Sequence, residues 1–178
     1  MQKLNIQWAK DHGACNGAIK WIENNHPGKE LDFKDVINGL IGADKTKWAN
    51  WTVTRLLDHK QQVQYAVFAA EQVISMHEKQ YTDDRPRKAI NAAKNWIENP
   101  CEETRTAAYA AYAAYAADAA AGAADTAADA AAYAAYAAGT AAGAAPGAAA
   151  YAAYAAAYAA ADRKEMLVKI INYGVSLL

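Results

Sequence analysis

The segment "TAAYAAYAAYAADAAAGAAD", residues 106–125, decides the fold class of this 178-residue chain. Alanine has the highest helix propensity of any residue, and this segment contains little else for about four helical turns. Glu102 and Glu103 precede it and suit the positive end of a helix, and Gly122 is a residue at which a helix readily ends. We therefore predict one capped helix here and not a disordered tail, which would need no such caps.

The rest of the alanine-rich half, residues 100–178, shows the same alternation of caps and breaks. Asp125 can start the next helix, and Pro146 and Gly147 interrupt the chain again. Isolated alanine helices of this length are only marginally stable in water, so we expect them to pack on one another. Ordinary core residues return near the end of this half: Met166, Leu167, Ile170, Ile171 and Val175.

The first half, residues 1–99, has a normal mixture of residue types. Its pattern predicts several helices, most of them with an aspartate as the N-cap. Asp11 is expected to cap a helix that runs to His26, Asp32 to cap one that closes near Gly42, and Asp44 to open a third that carries Trp48 and Trp51. Apolar residues at three- and four-residue spacing predict one continuous helix over residues 61–81.

The last helix of this half is predicted to begin at Asp84 and to end at Asn99 and Pro100. Its expected inner face consists of Ala89, Ala93, Trp96 and Ile97. We thus predict a single all-α domain over residues 1–178, an irregular bundle of about eight or nine short helices.

Charge and composition exclude several classes of protein. The formal net charge of −1 gives no overall basic field for duplex nucleic acid or an acidic membrane. No segment is apolar enough to span a bilayer, and the N-terminus lacks the apolar core of a signal peptide, so we expect a cytoplasmic protein. Cys15 and Cys101 are expected to be ordinary thiols, and the histidines have no metal-ligand spacing, so no metal or cofactor is predicted.

The regularly spaced tyrosines allow two interpretations. A three-residue step turns a helix by about 300 degrees, so one set fans around its helix: Tyr109, Tyr112 and Tyr115. A second set keeps a narrow stripe: Tyr151, Tyr154 and Tyr158. The simpler interpretation is that these rings fill an alanine core, and the sharper one is an aromatic surface that stacks on a base or contacts a partner. Since the rings that fan out cannot all be buried, we expect an interface or a homo-oligomer contact.

The run "DDRPR", residues 83–87, is the most concentrated polar cluster. The interpretation that we favour is a capped helix start with solvated charges. The alternative is an anion site, because helix N-termini and arginines both suit phosphate, and Arg55 and Arg105 are further candidates. No nucleophile with a base, phosphate loop or convincing carboxylate pair is present, so we predict that the protein is not an enzyme.

A family resemblance covers roughly residues 65–161. The residues that carry it are Ala69, Ala70, Glu71, the run at 83–87, Ala89, Ile90 and Trp96, followed by the alanine helices. In these the chain resembles the bacterial immunity-protein-five-like family, which implies neutralisation of a toxin in a bacterial cell. Thr140 and Ala144 depart from it, since the family often carries His or Arg there. The opening "GACNGAIKWIENN" resembles the start of many small phage and bacterial proteins.

These features lead to a non-catalytic binding protein with an immunity or counter-defence role. The hypothesis that we favour is sequestration of a small anionic nucleotide-type signal, with tyrosines that stack on the base and arginines that hold phosphates. Its predicted ligand-binding residues are Arg85, Arg87, Arg105, Tyr109, Tyr112, Tyr151, Tyr154 and Tyr158. The alternatives are an immunity protein that binds a protein toxin directly and a structural oligomer.

Overall fold

A computed structural model describes residues 3–105, 152–153, 155–157 and 162–178 of the chain. Eight helices can be followed from end to end in these residues: α1 (Ile6–Asp11), α2 (Asn16–Asn25), α3 (Phe33–Gly42), α4 (Thr46–Leu56), α5 (His59–Glu71), α6 (Ile74–Gln80), α7 (Arg85–Glu98) and α8 (Arg163–Leu177). Residues 102–105, 152–153 and 155–157 are also helical. The predicted all-α class is therefore confirmed.

A small antiparallel sheet, which the sequence analysis did not predict, joins the two ends of the first helical pair. Strand β1 (Lys3–Leu4) pairs with strand β2 (Leu31–Asp32), with Leu4 opposite Leu31. Because β2 leads directly into α3, this pairing holds α1 and α2 next to the start of α3.

The core lies where α8 packs on α4 and α5. Gly174 makes this packing close, since a Cβ atom there would lie 2.5 Å from Val53 Cγ1 and 2.6 Å from Tyr65 Cε2. The Tyr65 hydroxyl in turn donates to Asn50 Oδ1 at 2.6 Å, and both side chains are fully buried. Helix α7 covers α5 on another side and buries Ala89 and its neighbours Ile90, Ala93 and Trp96.

The C-terminal half contributes to the same core. Leu167, Ile170 and Ile171 of α8 are buried as predicted, and Met166 and Val175 are half-buried. The alanines at 152–153 and 155–157 are also buried in this cluster, so this part of the alanine-rich half is packed. The predicted helices at 106–150 lie outside the described residues, and the single-domain organisation stays a prediction.

Helix α3 follows the sequence closely, but Asp44 after it does not. Asp32 caps α3 by accepting the backbone N–H of Lys34 at 3.0 Å, and the helix ends at Gly42. The prediction that Asp44 caps α4 is wrong, because its φ of 58° makes it the left-handed residue that terminates α3. The backbone N–H groups of Asp44 and Lys45 donate to the carbonyls of Ile41 and Leu40, at 3.1 and 2.7 Å.

The predicted cap at Asp11 is also wrong, because this residue ends a helix, α1, that the sequence analysis missed. Gly13 has a φ of 75°, and its N–H donates to the Lys10 carbonyl at 3.0 Å. The Ala14 N–H reaches back to the Ala9 carbonyl at 2.9 Å. This is the usual glycine-terminated helix end, so α2 starts only at Asn16.

The helix predicted over residues 61–81 is two helices. It begins earlier, at His59, where Asp58 and Gln61 accept each other's backbone N–H groups at 2.8 Å. Helix α5 ends at Glu71, and the next backbone bonds tighten to three-residue steps, from Gln72 to Ala69 and from Val73 to Ala70. Val73 and Ile74, the residues at this break, are both buried in the core.

Candidate functional site

Two of the residues predicted to bind a ligand, Arg85 and Arg87, lie where α6 is followed by α7. We call residues 77–88 the α6–α7 corner. Helix α6 ends at Gln80, and Tyr81 continues in extended backbone. The ring of His77 is buried, and its Nε2 lies 3.2 Å from the Asp83 carbonyl oxygen. This contact ties the last turn of α6 to the start of α7.

Arg85 and Asp83 form one ion pair of this corner. The Arg85 Nε and Nη2 groups donate to the Asp83 carboxylate at 2.8–3.0 Å, and the Arg85 backbone N–H donates to Asp83 Oδ1 at 3.0 Å. These hydrogen bonds from Arg85 hold the pKa of Asp83 below its ordinary value. Asp84 occupies the predicted N-cap position of α7, but its side chain makes no capping bond and pairs instead with Lys88 at 2.9 Å.

Arg87 and Glu78 form the second ion pair and join α7 to α6. Arg87 Nε donates to Glu78 Oε1 at 2.7 Å, and Nη2 donates to Oε2 at 3.0 Å. The bidentate contact lowers the pKa of Glu78 and raises that of Arg87. Both side chains remain more than a third exposed, so the pair lies at the surface.

The structure brings Arg85 and Arg87 to one corner, but each has a carboxylate partner. Arg105 lies beyond the other end of α7, a helix about 20 Å long, and donates to Glu102 at 2.7 Å. Arg55, the further candidate, lies 4.2 Å from the Trp51 ring. An anion at any of the three paired arginines would compete with the carboxylate already bound there.

The five predicted tyrosines lie outside the described residues: Tyr109, Tyr112, Tyr151, Tyr154 and Tyr158. Their assignment to a ligand site therefore stays a prediction, as does that of the three arginines.

Tyr81 is a surface residue of the corner that the sequence analysis did not single out. With Leu178, it is one of the two large apolar side chains exposed in the described part of the chain, at 37%. Its hydroxyl accepts a hydrogen bond from Gln80 Nε2 at 3.2 Å, and its ring centroid lies 5.0 Å from that of His77. Its position just before the charged run at residues 83–87 is the sequence feature that could have indicated a role in this corner.

A cavity of about 240 Å³ between α1, α2, α3 and α4 was also missed. Four of the five tryptophans of the chain line it: Trp8, Trp21, Trp48 and Trp51. The sequence analysis placed Trp48 and Trp51 on one helix but did not connect them with Trp8 and Trp21. Their concentration before residue 52 was the signal that could have indicated a shared cavity.

The described residues offer neither a metal site nor a membrane span. They contain no group of three or more His, Cys, Asp or Glu side chains placed to hold a metal ion. No helix among them has the length and apolar character needed to cross a bilayer. Cys15 and Cys101 are both exposed free thiols, as predicted.

Comparison with known families identifies the class of protein that this helical fold represents. Residues 52–173 match the family model described as "Imm-5 like putative immunity protein", so the chain belongs to this family and the resemblance found in the sequence is confirmed. No curated protein and no solved structure gives a match. The α6–α7 corner lies inside the matched residues, whereas all the residues around the tryptophan-lined cavity except Thr52 precede them.

Proposed function

We propose that the protein neutralises a protein toxin by direct stoichiometric binding, and that the α6–α7 corner is its toxin-binding surface. The observation that carries the proposal is the family match over residues 52–173, which includes this corner. Toxin binding is the role that the family description implies most directly. It was the second hypothesis from the sequence, and the site geometry now favours it over the first.

The chemistry of the corner suits a protein partner. Tyr81 is exposed in the same corner as Arg85 and Arg87, and tyrosine and arginine are enriched among the residues that dominate protein interfaces. The ion pairs with Asp83 and Glu78 hold both guanidinium groups in place. Side chains that are already ordered lose less conformational entropy on binding. The two ion pairs therefore form an ordered surface with both positive and negative groups, which suits a partner that also carries charges of both signs.

Nucleotide sequestration has less support from the same geometry. To make a bidentate contact with the Nε and Nη2 groups, a phosphate would have to displace the carboxylate of Glu78 from Arg87 or that of Asp83 from Arg85. Charge-assisted bonds of this kind are about twice as strong as neutral ones, so displacement reduces the net gain from phosphate binding. A toxin surface can instead contact the pairs without breaking them.

Rescue of bacteria from toxin domains tests the proposal. The chain is co-expressed with a panel of toxin domains, and growth and complex formation by size-exclusion chromatography are measured. For the toxin that is neutralised, the double variant Tyr81→Ala, Arg87→Glu should weaken binding about 30-fold or more, since even one of the two residues at an interface centre contributes about 2 kcal/mol. Lys60→Ala is the control, because this exposed lysine lies in the first turn of α5 and so outside the α6–α7 corner.

A second measurement addresses the nucleotide hypothesis directly. Thermal unfolding is followed with cyclic oligonucleotides and with ADP-ribose derivatives. No stabilisation is expected from either class. A shift that Arg85→Ala and Arg87→Ala abolish, together with no rescue from any toxin, would contradict toxin neutralisation. Rescue that the double variant leaves unchanged would place the toxin-binding surface elsewhere.

A further inference from the structure

The tryptophan-lined cavity has the walls of an aromatic binding site. The Trp8 and Trp51 rings meet edge to face, with centroids 6.0 Å apart and planes at 79°. The Trp21 and Trp48 rings lie 6.5 Å apart at 64°. All four rings are half-buried, so they retain surface that a ligand can cover. Such walls favour a flat apolar molecule that stacks on one ring and meets the edge of another.

The volume sets the size of this molecule. An apolar cavity of about 150 Å³ in another protein accommodates benzene. The cavity here is about 240 Å³, which suits a fused two-ring system better than a single ring. A nucleotide, with its sugar and phosphate, would extend well beyond this space.

The charges around the cavity favour an anion. Lys29 and Lys47 line it, and no Asp or Glu occurs among the lining residues that the structure describes. Two further cations do not line the cavity but contact its rings: Lys45 Nζ lies 5.2 Å from the Trp48 ring centroid, and Arg55 Cζ lies 4.2 Å from that of Trp51. A cationic ligand in the cavity would therefore be repelled by the lining lysines, whereas one negative charge near them would be attracted.

We propose that this cavity binds a planar, two-ring aromatic molecule that carries a single negative charge. Its lining residues precede the family-matched residues, apart from Thr52. None of the lining residues belongs to the α6–α7 corner, so ligand binding here does not depend on toxin neutralisation.

Three naphthalene probes of equal ring size and different charge test the proposal: 2-naphthoate, 2-naphthylmethylamine and 2-naphthalenemethanol. Their dissociation constants are measured with the full chain by isothermal titration calorimetry at low ionic strength. 2-Naphthoate should bind roughly tenfold more tightly than the amine, and added salt should reduce this preference. Equal or tighter binding of the amine would overturn the proposal.

Charge reversal at the rim provides the matched variants. Lys29→Glu combined with Lys47→Glu should weaken 2-naphthoate binding roughly tenfold or more, because both exposed lysines line the cavity. Lys20→Glu makes the same charge change at an exposed position of α2 that does not line it, and should alter affinity by less than about twofold.

A cavity-filling variant locates the site without removing a tryptophan. Ala18 is half-buried in the wall, so Ala18→Phe should block 2-naphthoate binding while circular dichroism shows that the helices remain folded. Undiminished binding by folded Ala18→Phe would place the site elsewhere. Failure of all three probes to bind the folded wild-type protein would also overturn the proposal, and neither result would affect toxin rescue.

Discussion

Gly174 shows how one missing side chain determines the packing of a helix. Because it has no Cβ atom, α8 lies directly against Val53 and Tyr65. Gly174→Ala would place a methyl group about 2.5 Å from both side chains, so we expect a loss of about 1–3 kcal/mol in the free energy of unfolding. Chemical denaturation monitored by circular dichroism measures this loss.

Gly39→Ala is the matched control for that substitution. Gly39 lies inside helix α3 and is exposed. A methyl group added there would have no neighbouring atom within 4 Å. Since alanine favours helix more than glycine does, this variant should gain up to about 1 kcal/mol. Destabilisation of both variants to the same extent would show that backbone effects, and not the contact of α8 with the core, dominate.

The aspartates show what can be predicted at the level of a residue. Asp32 caps α3 as expected, because the cap bond is local and needs only the next few residues. Asp44 lies between two helices, where it can either end the first or begin the second. Its carboxylate pairs with Lys164 at 2.7 Å, a residue of α8 far away in sequence. That contact and the left-handed turn could not be inferred from neighbouring residues alone.

At the level of the element, the aspartates that precede α5 and α7 should differ in how much they stabilise their helices. Asp58 and Gln61 form a reciprocal cap on α5, so Asp58→Ala should reduce stability by about 0.5–2 kcal/mol. Asp84 makes no capping bond to α7, and Asp84→Ala should lose only a few tenths of a kcal/mol, from its pair with Lys88. Thermal unfolding of both variants checks this order, and equal losses would contradict it.

The break between α5 and α6 explains why helix boundaries were harder to predict than helices. The apolar spacing over residues 61–81 fits one straight helix. The backbone nevertheless tightens to three-residue steps at Gln72 and Val73, where no glycine or proline marks a break. The sequence likewise placed the charged run at the start of α7 but could not show that Glu78 pairs with Arg87. That pair needs α6 and α7 to meet at a defined angle.

For the molecule as a whole, acid should weaken the fold partly through the α6–α7 corner. The pKa values of Asp83 and Glu78 lie below their ordinary values of 3.8 and 4.5, because arginines donate to their carboxylates. Their stabilisation is therefore fully present above these ordinary values and is lost as pH falls through the lowered ones. We expect the free energy of unfolding to decline below about pH 4.5 in part for this reason.

Glu78→Gln isolates one contribution to this decline. Between neutral and acid pH, this variant should lose about 0.5 kcal/mol less of its free energy of unfolding than the wild type does. The difference is small because surface ion pairs are screened by water. Arg87→Gln should produce the same difference, because it removes the same hydrogen bonds. Denaturant titrations from pH 3 to 7 make the comparison. A loss equal to that of the wild type in both variants would show that this pair contributes nothing measurable.

The position of α8 has a consequence for folding during protein synthesis. Val53 and Tyr65 leave the ribosome early, but the helix that packs against them contains Gly174 and emerges more than a hundred residues later. Contacts between such distant segments form slowly, because a long loop must close first. During this interval the nascent chain presents an apolar surface on α4 and α5. We therefore expect this surface to be a binding site for ribosome-associated chaperones, which release it when α8 docks.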